Sequence, residues 1–252
     1  MKIVVLGSGN VAQQLLALFQ NHPKIELIQW YCRSPKPLQF AKKEIPTIHD
    51  ITKRLAADLY LLALADNALA EVSKHFKKKE VVVHLAGGMP LNTLKNLGSK
   101  GVWYPIQSFT KNRIIDFQGL PFSIEGSDHQ TLEKLTKLTH WVGGQATIHS
   151  SSQRLTLHLA AVICNNFTNQ LFTLTATLCK KHQIEFDLLY PLIKETSNRL
   201  NNGNPELWQT GPALRGDTQT IEKHLPLLES PLKEIYNLLT KTIQQHYGKK
   251  EL

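Results

Sequence analysis

The stretch KIVVLGSGNVAQQLLALF, residues 2–19, decides how the chain begins to fold. Residues 2–6 form a short apolar run rich in β-branched side chains, which indicates a strand buried on both faces. Gly7 ends this run. Residues 10–20 then place apolar side chains at helical spacing, so that one face carries Val11, Leu15, Leu18 and Phe19. The chain therefore opens with a buried strand, a glycine turn and an amphipathic helix.

The alternation of strand and helix continues to about residue 150. Seven more runs are predicted to be strands, at residues 25–31, 44–48, 57–64, 80–85, 101–106, 121–126 and 145–150. Pro46 suits only an edge strand. Helices are predicted at residues 38–43, at 67–76 and in the segment that ends at Gly143. Alternating units of this length predict a parallel sheet with helices on both faces, joined by right-handed crossovers.

The pattern changes after Ser150, where helical periodicity continues without glycine or proline. Residues 151–182 predict one long helix, which a serine of the 150–152 run would cap. Three more helices are predicted at residues 188–201, 218–228 and 231–246, with an irregular stretch at 201–217. The predicted fold class is therefore α/β, with a parallel-sheet domain at residues 1–150 followed by a smaller all-α domain at 151–252.

Composition excludes several classes of partner. The chain has 252 residues and a formal net charge of +9 at pH 7, but its basic residues are dispersed, and Glu80 directly follows the densest run, Lys77–Lys79. Because no basic stripe carries interleaved aromatic residues, we expect no nucleic-acid partner. No apolar run approaches about 20 residues, and a glycine turn interrupts the start where a secretory signal needs a longer apolar stretch. We therefore expect no membrane partner and a cytoplasmic location.

The three cysteines, Cys32, Cys164 and Cys179, are far apart in the sequence. They form neither a CxxC pair nor a zinc-ligand spacing with histidine. We therefore expect three buried thiols, no disulfide framework and no metal site.

The glycine turn has the pattern G-x-G-x-x-A at Gly7, Gly9 and Ala12. It follows a strand and opens a helix, which is the context in which this pattern binds the pyrophosphate of a dinucleotide. The alternative is a turn that uses glycine for geometry alone. The predicted cofactor-binding residues of this turn and of the turn after the fourth strand are Gly7, Ser8, Gly9, Asn10, Val11, Ala65 and Asp66.

Arg33 and Ser34 stand at the end of the second predicted strand, where NAD-binding proteins usually carry an acid. An acid there accepts hydrogen bonds from the ribose and would repel the 2′-phosphate of NADP. A guanidinium can bind that phosphate with two hydrogen bonds, Ser34 can donate one more, and Lys36 adds positive charge. The sequence therefore predicts NADP as the cofactor, the alternative being a solvated surface arginine.

Candidate catalytic residues lie on the long helix and after the sixth strand. Arg154, His158, Asn165 and Asn169 share one helix face. We expect Arg154 and Asn169 to face solvent at its two ends. His158 as a proton donor and Asn165 as a carbonyl-orienting group compete with a purely structural role for both. Gln107, with Ser108 beside it, could meet a polar substrate.

The loop QTGPALRGD, residues 209–217, carries two charged side chains, Arg215 and Asp217, on either side of Gly216. Asp217 is a candidate N-cap for the helix that follows. Arg215 could bind an anionic substrate or a second subunit, and the alternative is an ordinary capped loop.

Taken together, VVLGSGNVA, CRS, LALADNALAEV, VVVHLAGGMPLNTL, YPIQSF, LHLAAVICNNFTNQL and TGPALRGD resemble the Rossmann-like proteins with the C-terminal domain of unknown function 2520. Members of that family are labelled NADP oxidoreductases. The layout is more distantly similar to pyrroline-5-carboxylate reductase and ketopantoate reductase. The resemblance implies an N-terminal NADP domain and a helical domain through which the chain forms a homodimer.

Two positions depart from the family pattern. Leu85-Ala86-Gly87 stands where Thr-Ser-Gly is common, and Tyr104 stands where a histidine is common before Pro105.

The main hypothesis for the function is a reductase that uses NADP to reduce a C=O or C=N bond of a small polar substrate between two domains. The missing hydroxyls favour the alternative, a non-catalytic NADP(H) sensor or scaffold.

Overall fold

The computed structural model describes residues 1–95, 97–111 and 113–248, and the chain forms two compact units, residues 1–165 and 166–252. The division falls inside a π-helical segment, Val162–Phe167. The division at residue 150 that the sequence suggests for the domains stays a prediction. Among the described residues, no helix has both the length and the apolar character needed to cross a membrane.

The first unit is built on an eight-stranded sheet. Its strands are β1 Lys2–Leu6, β2 Glu26–Tyr31, β3 Thr47–Ile48, β4 Leu59–Leu62, β5 Val81–His84, β6 Ser99–Pro105, β7 Pro121–Gly126 and β8 Gln145–Ile148. Their order is β3-β2-β1-β4-β5-β6-β7-β8, and every pairing is parallel except β6 with β7. The predicted α/β class with a mostly parallel sheet is confirmed. Strands β2 and β3 are added on one side of β1, and β4 to β8 are added on its other side. The parallel strands β1 and β4 therefore lie side by side at the switch point where such sheets bind ligands.

The helices of the first unit are α1 Asn10–Phe19, α2 Asp66–Ser73, α3 His129–Trp141 and α4 Ser151–Ala161. Alternate residues of β1 face two separate apolar cores. Ile3 and Val5 pack in the core that contains Leu15 of α1, whereas Val4 packs in the core that contains Leu69 of α2. Helices therefore cover both faces, as the continuous apolar run of β1 predicts.

The helix predicted at residues 38–43 is wrong, because the connection from β2 to β3 has no helix. Buried Gln13 of α1 gives this backbone its partners, since its amide donates to Pro37 O at 3.3 Å and accepts from Gln39 N at 3.0 Å. Long-range side-chain hydrogen bonds therefore replace a local helix.

The second unit is helical, with α5 Thr168–Lys181, α6 Tyr190–Arg199, α7 Pro212–Arg215, α8 Thr218–His224 and α9 Leu232–Tyr247. The helix predicted over 151–182 consists of α4, the π-helical segment and α5. Ser150 caps α4 through a capping box with Gln153, and Asp217 caps α8, which confirms both predicted caps.

The cysteine prediction holds for two of the three thiols. Cys32 and Cys179 are buried, whereas Cys164 is exposed. Cys164 lies in the π-helical segment, where its neighbours Ile163 and Asn165 are exposed as well. The prediction of a buried thiol is therefore wrong for Cys164.

Candidate functional site

The first unit contains a cleft of about 910 Å³ beyond the carboxyl ends of its central strands. The glycine turn after β1, the tip of β2 and the turns after β4 and β5 line it, together with the loop after β6 and residues of α1, α2 and α4. Its lining residues are Gly7, Ser8, Gly9, Asn10, Val11, Tyr31, Arg33, Ala63, Leu64, Ala65, Asp66, Asn67, Ala68, Val72, Leu85, Ala86, Gly87, Gly88, Phe109 and His158. This is the edge at which open α/β sheets bind ligands.

Gly7 has a structural role in this cleft. Its φ of 129° is unfavourable for any residue with a side chain, and an added Cβ would lie 2.0 Å from the carbonyl oxygen of Ala63. Its amide donates to Tyr31 O at 2.9 Å, and its carbonyl accepts from the indole of Trp30 at 2.6 Å. Gly7 therefore locks the turn between β1, β2 and the residue after β4.

Gly9 has a different role, because nothing lies within 4 Å of the position that its Cβ would take. It precedes α1 with an ordinary φ of −75° and provides no side-chain cap. The first N–H groups of α1 are consequently free of intrahelical acceptors at the lining of the cleft. Free N–H groups and the positive end of a helix attract anions such as a pyrophosphate.

Of the two residues predicted at the tip of β2, Arg33 lines the cleft and Ser34 does not. Arg33 is exposed, and within the described residues it pairs with no carboxylate. Ala65 and Asp66 line the cleft as well, at the start of α2. The structure thus brings together eight of the nine predicted cofactor-binding residues in one cavity, all except Ser34.

Asn10 fixes the far wall of the cleft. Its side-chain amide donates to the carbonyl of Phe109 at 2.9 Å, which ties the glycine turn to the loop after β6. Phe109 itself lines the cavity.

His158 is the catalytic candidate that lines the cleft. Its Nδ1 lies 3.1 Å from the hydroxyl of Tyr104 at the end of β6, and the two rings meet edge to face. On the other side of the ring, a Cβ added to Gly88 would lie 3.3 Å from Cδ2 and 3.7 Å from Nε2. The Nε2 edge of the imidazole therefore lies against Gly88, which also lines the cleft.

The expectation that Arg154 faces solvent is wrong, because its side chain is fully buried. Its Nη1 pairs with Glu125 of β7, and its Nη2 donates to Met89 O at 2.7 Å. Ser151 adds hydrogen bonds from its backbone amide and its hydroxyl to the same carboxylate. The carboxylate thus compensates the buried charge and fixes α4 on the sheet, one helical turn before His158.

Asn169 is exposed, as expected. The other predicted contacts do not line the cleft of the first unit. Gln107 and Ser108 are exposed, and the Gln107 side chain accepts a hydrogen bond from the amide of Ser108 at 2.8 Å. Asn165 is exposed in the π-helical segment. Arg215 lies in the second unit, 4.0 Å from Asp217.

His84, the last residue of β5, is fully buried, and its Nε2 has no hydrogen-bond partner. Burial, and then the charge of Arg154, lower the pKa of His84 from 6.5 to about 4. Its Nδ1 accepts a hydrogen bond from the amide of Ala86 at 3.2 Å, which fixes the start of the segment that lines the cleft.

Among the described residues, no group of three or more His, Cys, Asp and Glu side chains could hold a metal ion.

We expect the protein to lose stability on acidification through His84. In the unfolded chain His84 binds a proton below pH 6.5, but in the folded protein it does so only below about pH 4. The contribution of His84 to the free energy of unfolding is therefore fully present above pH 6.5, and it falls by on the order of 3 kcal/mol as the pH drops to about 4. Asparagine can still accept the Ala86 amide but does not titrate. Urea unfolding of His84→Asn should consequently lose less stability than the wild type between pH 7 and pH 4.5. Equal losses would contradict this account.

The strand order, the glycine turn and the cleft at the switch point define a Rossmann-like protein. A family model described as "Domain of unknown function (DUF2520)" matches residues 120–243. A crystal structure from Bacteroides fragilis, described as a "putative NADP oxidoreductase", is similar at 33% identity, with 97% of this chain and 98% of that chain covered and a TM-score of 0.87. The chain therefore belongs to the family of Rossmann-like proteins with the DUF2520 domain, as the sequence resemblance predicts.

Two further structures share the fold. Protein TM1727 from Thermotoga maritima is 20% identical, with 98% of each chain covered and a TM-score of 0.72. Plasmodium falciparum pyrroline carboxylate reductase with NADP bound is 11% identical, with 98% of this chain and 93% of that chain covered and a TM-score of 0.58. A search of curated proteins finds no match to this chain.

Proposed function

We propose that the protein is an oxidoreductase that binds NADP in the cleft of its first unit and reduces a C=O or C=N bond of a small polar substrate. One observation carries the proposal: Arg33 lines the same cavity as the glycine turn and the start of α1. A cation thus takes the position at which NAD-binding proteins carry an acid. The name of the B. fragilis relative and the NADP bound by the P. falciparum reductase support the same cofactor.

The residues present fit a dinucleotide phosphate. The open position beside Gly9 leaves room for the pyrophosphate against the N–H groups of α1. Arg33 would bind the 2′-phosphate with two hydrogen bonds, while Ala65 and Asp66 would lie beside the ribose and nicotinamide. Bound in this way, the reduced cofactor would supply the hydride.

The chain's own contribution to the reaction is a proton donor in a partly apolar cavity. His158 would protonate the oxygen or nitrogen of the reduced bond through Nε2. Leu85, Ala86 and Phe109 line the same cavity and would help to exclude water. Asn165, Gln107, Ser108 and Arg215 as substrate contacts, and a cytoplasmic location, stay predictions.

The phosphate role of Arg33 has a direct test. Arg33→Glu should weaken NADPH binding by about a hundredfold, because it removes charge-assisted hydrogen bonds and adds a repelling carboxylate. Affinity for NADH, which has no 2′-phosphate, should change by less than about threefold. Isothermal titration calorimetry with both nucleotides measures the two effects.

Lys36→Glu makes the same change of charge three residues away, at a residue that does not line the cleft. If Arg33 acts through contact, Lys36→Glu should reduce NADPH affinity far less than Arg33→Glu does. Equal losses for both variants, or equal losses of NADPH and NADH in Arg33→Glu, would remove the phosphate role.

A non-catalytic NADP(H) sensor is the second candidate, because Leu85 and Ala86 bring no hydroxyl to the cleft. The two functions differ in turnover. Oxidation of NADPH in the presence of imines or short keto acids supports the reductase, whereas tight NADPH binding without turnover of any of them supports the sensor.

We also propose that the second unit associates with a second copy of the chain. Leu188, Leu192, Leu207 and Leu238 of this unit are between 62% and 73% exposed. Large apolar side chains that are exposed on one unit often mark a protein–protein interface. Sedimentation equilibrium of the full chain tests the proposal, and a mass of one chain at micromolar concentration would contradict it.

A further inference from the structure

The hydroxyl of Tyr104 has His158 as its hydrogen-bond partner. The Oη atom lies 3.1 Å from Nδ1, and the ring centroids are 5.7 Å apart at an interplanar angle of 79°. Tyr104 is only 9% exposed, and burial raises the pKa of its hydroxyl. The hydroxyl therefore keeps its proton and remains able both to donate and to accept.

The chain makes room for this tyrosine by means of a glycine. A Cβ added to Gly87 would lie 2.6 Å from Cζ of Tyr104 and 2.8 Å from the two neighbouring ring carbons. The phenol ring thus packs directly on the backbone of the turn after β5. This packing holds the hydroxyl at a fixed place beside the cleft.

The backbone of His158 is fixed independently of Tyr104. One turn earlier on α4, Arg154 is bound by Glu125 and by the carbonyl of Met89. The remaining freedom of His158 is rotation of its imidazole, which decides which ring nitrogen meets the cleft.

We propose that Tyr104 is a positioning residue that holds the imidazole of His158 with Nε2 as the proton-bearing nitrogen on the side of the cleft. The proposal rests on the proposed function, in which His158 protonates the substrate. In the neutral form of His158 in the resting protein, we expect the Tyr104 hydroxyl to donate to Nδ1, so that the ring proton lies on Nε2. Tyr104 would thus take part in the same reaction without touching the substrate.

The same hydrogen bond persists through the reduction. The substrate carbon would receive a hydride from the reduced cofactor, and the substrate oxygen or nitrogen would receive the Nε2 proton of the His158 imidazolium. The imidazole would then be neutral, with its proton on Nδ1, until it takes up a proton on Nε2 from water. Tyr104 Oη accepts a hydrogen bond from that N–H, so the hydroxyl serves both states by rotating its own proton.

Tyr104→Phe tests the role without changing the ring. We expect kcat for the substrate found in the NADPH-oxidation screen to fall by about tenfold, because an unheld imidazole loses its productive geometry. The dissociation constant for NADPH should stay within about twofold of the wild type. The matched control is Tyr60→Phe, which removes a hydroxyl bonded to Leu55 O and Ala57 N elsewhere in the sheet. That control should leave kcat unchanged.

A spectroscopic measurement decides the inference without cofactor or substrate. The ¹⁵N chemical shifts of His158 in the ligand-free protein, assigned with His158→Gln, should report the Nε2–H form in the neutral ring. They should move toward a mixture of both forms in Tyr104→Phe. A neutral wild-type ring protonated on Nδ1, or an unchanged ring in Tyr104→Phe, would overturn the positioning role. Failure of NADPH to bind would instead overturn the proposed function and leave this measurement valid.

Discussion

Gly9→Val is expected to abolish binding of both NADPH and NADH, while the first unit keeps its stability. The φ of −75° suits any residue, and nothing lies within 4 Å of the new Cβ. The valine therefore causes no strain in the folded protein. Its methyl groups would instead occupy the space in which a pyrophosphate approaches the N–H groups of α1. We expect the dissociation constants to rise by at least about a hundredfold in isothermal titration calorimetry.

Gly7→Ala is the matched comparison within the same motif. Here the Cβ would lie 2.0 Å from the Ala63 carbonyl, at a φ of 129°. The variant should lose stability itself, by several kcal/mol on the order of the costs of strain and overpacking. Thermal unfolding followed by tryptophan fluorescence reports this unit, because Trp30, Trp103 and Trp141 lie in it. Tight dinucleotide binding by Gly9→Val would remove the pyrophosphate site from the cleft.

The contrast between these two glycines also shows how far sequence reasoning reaches. The pattern G-x-G-x-x-A identifies the turn, and apolar periodicity identifies β1 and α1, because both signals are local. The same local signals place Arg33 at the end of β2. The carboxyl ends of parallel strands meet at one edge, so the cleft follows from the predicted topology.

Contacts between distant residues were beyond such reasoning. Arg154 has helical spacing with His158, and it was expected to face solvent, yet it pairs with Glu125, 29 residues earlier. Tyr104 and His158 are separated by 54 residues, so that no local pattern joins them. The wrong prediction of a helix at 38–43 has the same cause, since the side-chain amide of Gln13 makes hydrogen bonds with the backbone of Pro37 and Gln39, which are distant from it in the sequence.

The buried ion pair also leads to a large expected change in stability. Arg154→Met keeps most of the side-chain volume but leaves Glu125 and the Met89 carbonyl without their main donor. Breaking one side of a buried pair costs about 3–5 kcal/mol. Glu125 is still 18% exposed and keeps the hydrogen bonds of Ser151. We therefore expect the free energy of unfolding of the first unit to fall by about 3 kcal/mol. Urea unfolding followed by tryptophan fluorescence measures it.

A double variant distinguishes the cost of an unpaired charge from the cost of lost packing. Removing both charges in Arg154→Met with Glu125→Leu should be less destabilising than Arg154→Met alone, because no carboxylate then remains without its cation. Lys74→Met is the matched control, since it breaks an exposed ion pair with Glu71 and should cost less than about 1 kcal/mol. If Arg154→Met were as mild as Lys74→Met, the pair would not hold α4 on the sheet, and the fixed backbone of His158 would need another explanation.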